Sequence, residues 1–353
     1  MAKTNSVVAL KSIGEQILNL TRRPELGALA GTVIVYIFFS IFGGSQFTDI
    51  GGVSAWVNTA SELLIIALPV GLLMIAGEFD LSVGSILAGS SVTLALVSGF
   101  WGLPTWFGVL CALTLGATAG YLNGLMVTKT KVPSFIVTLA MQFGLAGLTL
   151  GLVRLITLTT SIPLKDDSFV KTMFGGKFGI GEGAPEQFEN AVFWALGIAV
   201  IVVLVLHVSP YGNWIFAIGG DIISARAAGV PVEKTKIVLF MSTGFGAALV
   251  GVIQALLYNG TSTSAGQSFV FNSVIAVVIG GVLLTGGYGS VLGVVLGTFT
   301  FSIVNRGVFY TGWDSDWAAL ILGILLLAAV LMNNTFRRLA LSGGKKKEVK
   351  KND

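Results

Sequence analysis

Apolar runs of about twenty residues follow one another through this chain, with few charges between them. A run of that length and composition crosses a bilayer as a helix. Ten can be read, at roughly 27–43, 61–77, 83–99, 106–127, 133–155, 190–208, 237–257, 268–285, 289–310 and 317–333. Helices are expected because lipid offers no hydrogen bonds to a bare backbone. Runs such as IAVVIGGVLL (275–284) lack the alternation a barrel strand needs. Hydrophobic residues are 54% and charged residues 11%, too few charges to clothe a water-facing surface. The expected fold is an all-α polytopic membrane protein of about ten transmembrane helices, with one membrane domain over 26–335 between short tails at 1–25 and 336–353.

Lysine and arginine set the expected orientation. Placing the N-terminus inside collects Lys3, Lys11, Arg22, Arg23, Lys129, Lys131, Arg226, Lys234, Lys236, Arg337, Arg338 and the Lys345–Lys351 cluster on the cytoplasmic side. Both termini are then cytoplasmic. Val7, Leu10, Ile13, Ile17 and Leu20 suggest an amphipathic helix at the interface. No apolar core precedes Arg22-Arg23, so a cleavable signal peptide is not expected. The basic tail fits anionic membrane lipid rather than nucleic acid. Cys111 is the only cysteine, which rules out an internal disulfide or a cysteine-based metal site.

Two insertions interrupt the apolar pattern. The segment 159–189 is expected as an outer loop, either a contact for an external partner or a solvated connection. The segment 209–236 is expected on the inner face. Many of the 47 glycines sit inside the spans. Gly116, Gly120 and Gly124 recur every four residues, as do Gly289, Gly293 and Gly297, a spacing that lets helices approach closely. Packing within one chain and a dimer or moving seam both remain open. Shifted by 209 positions, Ala67, Gly71, Gly77, Phe79 and Gly84 meet Ala276, Gly280, Gly286, Tyr288 and Gly293, which suggests a parallel internal repeat.

Several chemistries have no signature. There is no GxxxxGK[ST], HExxH or GxSxG, so neither the usual ATPase site nor the usual hydrolase sites are expected, and the chain is not expected to be an enzyme. His207 reads as interfacial rather than as a metal ligand. Glu78 and Asp80 lie in GEFDLSVGS between two spans, where Asp80, Leu81 and Ser82 suit either a capped turn or a gate. Arg154 and Arg306 are expected near outer helix ends. Asn123, Gln142, Gln254, Asn272 and Asn305 are candidate pathway groups. Uncharged amides suit a neutral polyol better than an ion, although each also serves as helix-to-helix glue.

The segment Ala217–Lys236, AIGGDIISARAAGVPVEKTK, has the pattern of a short capped helix on a membrane face. Gly219-Gly220 permits a turn and Asp221 suits an N-cap. Ile222–Ala228 is helix-compatible, Gly229 offers a stop, and Pro231 forbids continuation.

Three blocks together resemble the ribose-type ABC importer permeases, which include permeases for xylose, arabinose, galactose and fructose. GEFDLSVGSILA (77–88) is similar to the family's G-x-DLSVGS segment, which includes Gly84. AIGGDIISARAAGVPVEKTK is similar to its A-x-GGN-x-x-AA-x-x-x-GI pattern, with Asp221 where asparagine is usual and Arg226 where alanine is common. AVVIGGVLLTGGYGSVLGVVLG (276–297) is similar to its glycine-rich run. The resemblance covers about 60–335.

It implies a bacterial inner-membrane permease that pairs with a second copy or a paralogue. It also implies an ATP-binding subunit that carries the ATP and magnesium, and an extracytoplasmic sugar-binding protein as donor; this chain itself is expected to hold no cofactor. The implied coupling helix involves Gly219, Gly220, Asp221, Ala225, Arg226, Gly229 and Val230. Sister permeases for autoinducer-2, inositol or nucleosides are the near alternatives. An ion-coupled secondary transporter needs intramembrane ionisable groups that are scarce here. An intramembrane enzyme would need a nucleophile–base pair that does not stand out.

Overall fold

The computed structural model describes residues 24–164, 169–180, 185, 187–314 and 316–328. The expected interfacial helix at 1–23 and the basic tail at 336–353 lie outside the described residues. The chain is helical: α1 Pro24–Phe42, α2 Gly44–Thr48, α3 Ile50–Ile75, α4 Val83–Leu94, α5 Thr105–Thr130, α6 Ser134–Thr157, α7 Phe169–Gly175, α8 Ala191–Val203, α9 Pro210–Gly220, α10 Ile222–Ala227, α11 Val232–Leu257, α12 Phe269–Ile279 and α13 Val291–Gly307. An apolar helix α14 covers Trp317–Ala328. α4 and α8 each widen into a π-turn, over Ala95–Phe100 and Leu204–Val208. Among the described residues, 8 helices are long and apolar enough to cross a membrane.

Two expected spans come out differently. The run 268–285 is the 11-residue α12 followed by a break, because Gly281 turns left-handed at φ +88° and stops the helix. The run 317–333 is helical over Trp317–Ala328 among the described residues. A third span is longer than expected: α3 begins at Ile50 rather than near 61, its first turns masked in the sequence by Asn58, Thr59, Ser61 and Glu62.

The expected outer loop 159–189 is partly structured. It contains β1 (Ser161–Pro163), α7, β2 (Lys177–Phe178) and β3 (Phe188–Glu189). β1 pairs antiparallel with β4 (Gly260–Ser262), Ile162 opposite Thr261, and β2 pairs antiparallel with β3. Both small sheets lie at the end of the bundle opposite α10.

The core forms around α3, α4, α11 and α13. From Ala60 to Ile75 every residue of α3 is buried. The outer helices turn large apolar side chains outward, including Phe143 and Leu155 on α6 and Phe193 and Ile201 on α8. Such an exterior is stable only in an apolar solvent. α5 and α11 cross most closely. A Cβ at Gly120 would fall on the Phe240 carbonyl oxygen and stand 2.8 Å from the Met241 Cα. Gly124 meets Ile237 in the same way, Gly116 meets Gly244, and Gly244 returns the contact. This stripe is used inside the chain. The second stripe is also internal: Gly289 lies against the Ile75 side chain, Gly293 against the Gly280 carbonyl and Gly297 against the Ala276 carbonyl.

The repeat has a structural counterpart. α3 and α12 each run toward the α10 end, break, and return as α4 and α13. The repeat partners Gly77 and Gly286 are both left-handed (φ +83° and +78°), and a Cβ on Gly286 would lie 2.8 Å from the Gly77 Cα. The two segments are therefore parallel. α12 stops about one turn earlier than α3 in repeat register, which leaves the longer break at 280–290.

Gly120→Ala should force the α5–α11 crossing apart at a cost of about 1–3 kcal/mol. Its melting midpoint in detergent should fall, while Gly144→Ala, with nothing within 4 Å of its Cβ, should melt like the parent. Equal midpoints would show that the crossing does not limit stability.

Candidate functional site

The α10 end of the bundle is built from three helix ends of one design. α10 begins at Asp221, whose Oδ1 accepts from the Ile223 amide at 2.9 Å and the Ser224 amide at 3.4 Å, and whose Oδ2 accepts from the Ser224 hydroxyl at 2.8 Å. The Ser224 hydroxyl, and then the two amides, hold the Asp221 carboxyl below the usual carboxylate range. A depressed folded-state pKa means the cap contributes fully above the unfolded value of ~3.9 and is lost as pH falls through the folded one. α10 ends in a Schellman motif: Gly229 N donates to Arg226 O at 3.1 Å and Val230 N to Ala225 O at 3.1 Å, with Gly229 at φ +82°. α3 ends in the same way, Gly77 N bonding Met74 O and Glu78 N bonding Leu73 O. So does α12, Gly281 N bonding Val278 O and Val282 N bonding Val277 O.

The ends of α3 and α9 and the break after α12 touch. Gly287 N donates to Ile75 O at 2.8 Å. A Cβ at Gly219 would fall on the Ile75 carbonyl and stand 2.5 Å from Gly287 N. Gly219 and Gly220 therefore close α9, and the turn that the sequence placed on them falls instead at the extended Asp221 (φ −154°, ψ 108°), between α9 and α10. Ala225 is buried, so α10 rests on its inner side. Ile223 is 78% exposed and the Arg226 side chain 65% exposed. Ile222 and Ile223, which the sequence reading did not select, supply the apolar part of this free face. The signal was available as two adjacent isoleucines on a segment otherwise polar or small. Arg226 and Lys129 reach Glu233 only at 4.0 and 3.9 Å, contacts of little energetic weight at such exposure.

Behind α10 lies the break between α3 and α4. Lys236, in the second turn of α11, forms an ion pair with Glu78, the two side chains 10% and 13% exposed. Asp80 is fully buried; its Oδ1 accepts from the Ser82 amide at 2.9 Å and the Ser82 hydroxyl at 2.6 Å, and its Oδ2 accepts from Thr243. Asp80 thus braces Ser82, the residue at the N-cap position of α4, instead of capping first-turn amides. Phe79 N donates to the Ser134 hydroxyl, Leu81 N to the Thr138 hydroxyl and Ser85 N to Gln142 Oε1, at 2.9–3.0 Å. Ser134, Thr138 and Gln142 recur every four residues on α6, a polar line on an apolar helix. Asn123 donates to the Ser82 hydroxyl at 2.8 Å. Gly84 packs its α-carbon against Val270 and Gly266.

The candidate pathway amides therefore separate. Asn123 and Gln142 are engaged with the break. Asn272 and Asn305 are half-buried on α12 and α13, apart from it. Gln254 stands near the opposite end and donates to Glu62 Oε2 at 2.8 Å. Glu62 is a carboxylate within α3 that hydropathy concealed, buried with its Oε1 unpartnered. Arg306 bonds Thr59 at 2.7 Å, and Asn58 bonds the backbone at Gln187 and Glu189. Burial pushes the Glu189 carboxyl above its ordinary range, with Lys177 and then Arg306 drawing it back. Arg154 is exposed on α6, and His207 is exposed with Nδ1 near Val203 O. No cluster able to hold a metal ion is found among the described residues.

A family model described as the permease component of branched-chain amino acid transport systems matches residues 52–330. The chain belongs to this permease family. Among related proteins, a fructose import permease of Rhizobium meliloti is 31% identical, covering 90% of this chain and 87% of its own. A ribose import permease of Escherichia coli K12 is 31% identical over 88% and 94% of the two chains. A xylose transport permease of Haemophilus influenzae is 28% identical over 88% and 96%. The resemblance carried by the three sequence blocks is thus met by sugar permeases along nearly the whole chain, and the chain is a multi-pass membrane permease.

The Lys236–Glu78 pair gives this permease a measurable latch. Lys236→Met should cost roughly 3 kcal/mol by leaving Glu78 buried without its partner. The double variant Lys236→Met/Glu78→Leu should recover most of that loss in a detergent melt. Additive losses would show that the pair is not coupled.

Proposed function

We propose that this permease is the membrane subunit of a binding-protein-dependent ABC importer and forms the passage for a monosaccharide. The observation that carries the reading is α10: a short helix, capped at both ends, with Ile223 and Arg226 exposed, that directly follows the end of α9 packed on the α3 break. A helix of this kind suits a groove on a second protein. The partner of matching purpose is an ATP-binding subunit, whose bound nucleotide and magnesium supply the energy. An extracytoplasmic binding protein would present sugar at the opposite end, and two permease subunits would complete the passage. Lys129, Lys131, Arg226, Lys234 and Lys236 all lie at or near the α10 end, which supports a cytoplasmic α10 in a bacterial inner membrane with cytoplasmic termini. The names of the relatives support ribose, fructose or xylose as cargo.

The test is reconstitution with the ATP-binding subunit and binding protein encoded by neighbouring genes. ATP-dependent uptake of labelled ribose, fructose or xylose is expected. Arg226→Glu and Ile223→Asp should abolish co-purification with the ATP-binding subunit while the permease still elutes as a folded species. Normal co-purification and uptake in both variants would refute α10 as the docking element. Uptake by the chain alone, driven by a sodium or proton gradient, would refute the importer reading.

A further inference from the structure

Resting on that reading, we infer that the cavity between the C-terminal end of α11 and the β1–β4 sheet is a transit subsite for a neutral monosaccharide. The cavity measures about 440 Å³, toward the small end of the roughly 300–1,000 Å³ typical of small-molecule sites. Its polar walls include Ser91, Gln254, Tyr258, Asn259, Thr261 and Ser262, and no Asp, Glu, Lys, Arg or His lines it. Hydroxyls and amides both donate and accept, as a polyol requires. An amino-acid zwitterion would bring a carboxylate and an ammonium to walls without a charged counterpart, at a desolvation cost those walls do not repay. The chemistry of the lining thus favours sugar over the amino-acid class named in the family description.

The cavity is a built site. The Ser91 and Thr261 hydroxyls bond each other in its wall, and the Ser161 hydroxyl bonds the Thr261 carbonyl. β4 is fixed by pairing with β1. Gln254 is oriented from behind by Glu62, whose Oε2 takes one of its amide hydrogens. Glu62 is therefore a positioning residue, one shell away from the sugar. The cavity lies at the end opposite α10, where cargo released by a binding protein would arrive.

The experiment uses the full permease with its ATP-binding subunit and binding protein. In a Cys111→Ser background, Ser262→Cys is labelled with a membrane-impermeant maleimide, with Ser45→Cys as a control at the same end outside the cavity. D-ribose, D-fructose or D-xylose at twice its dissociation constant should slow labelling at Ser262→Cys about threefold and leave Ser45→Cys unchanged. Leucine should slow neither. Ala265→Trp, which fills the cavity, should cut sugar import about tenfold in a protein that elutes as the parent does. Glu62→Gln, whose amide oxygen still accepts from Gln254, should import like the parent, whereas Glu62→Ala should not. Import by the parent with no protection at Ser262→Cys and undiminished import by Ala265→Trp would overturn the subsite and leave the importer reading standing. Protection by leucine instead of sugar would overturn its ligand class. A parent complex that imports none of the three sugars would overturn the importer reading and the subsite together.

Discussion

A backbone that leaves its helix inside a membrane must find hydrogen-bond partners there, and the segment 77–85 is where this chain meets that demand. α3 stops at Ile75, and the amides of Phe79, Leu81, Ser82 and Ser85 lose their helical acceptors. Four side-chain groups replace them: the Ser134 and Thr138 hydroxyls, the Asp80 carboxylate and the Gln142 amide oxygen. These acceptors come from α6 and from the break itself, while Thr243 of α11 and Asn123 of α5 tie the same network from the other side. The positions of α5, α6 and α11 relative to α3 and α4 are therefore fixed by polar bonding as well as by apolar packing. The network also explains why so few charges occur within the spans: the irregular backbone is satisfied almost wholly by neutral groups.

Repeated use of one helix stop gives the α10 end its form. Gly77, Gly229 and Gly281 each occupy the left-handed position of a Schellman motif. In each case the following residue folds back over the last turn and ends the helix abruptly. Gly219 and Gly287 then bring α9 and the second break onto the Ile75 carbonyl. The end of α9 is thus joined to the break by backbone contact, and α10 follows it across the single extended residue Asp221.

The sequence shows some of this plainly and hides the rest. Apolar runs reveal most spans, and Gly229 followed by Pro231 marks the end of α10. The start of α3 stays hidden because Asn58, Thr59, Ser61 and Glu62 depress its hydropathy, although Asn58, Thr59 and Glu62 build the polar contacts at the far end. The early stop of α12 is hidden for the opposite reason, since its apolar run continues past Gly281 into the break. Hydropathy cannot distinguish an apolar helix from an apolar turn. The partners of the break depend on which helices are neighbours, a tertiary fact. Even so, Ser134, Thr138 and Gln142 fall on one line of α6, and that line is legible to anyone counting in fours. Asp80 was recognisable as special, but whether it caps a helix or braces a turn depends on the Thr243 hydroxyl, which lies far away in sequence.

α11 has a kinematic property of its own. It is an unbroken helix of 26 residues, about 39 Å long at 1.5 Å per residue. Lys236, Thr243 and Gln254 contact Glu78, Asp80 and Glu62 respectively. At about 100° per residue, the step from 236 to 243 returns to within about 20° of the same bearing, and the step from 236 to 254 completes about five whole turns. The three side chains are teeth along one edge of a rod, meshed with α3 and its break. Spinning the rod would strip all three at once, whereas tilting it about the middle tooth loosens the ends and keeps the centre engaged. The shape favours rocking over rotation, with Thr243 and Asp80 as the fulcrum.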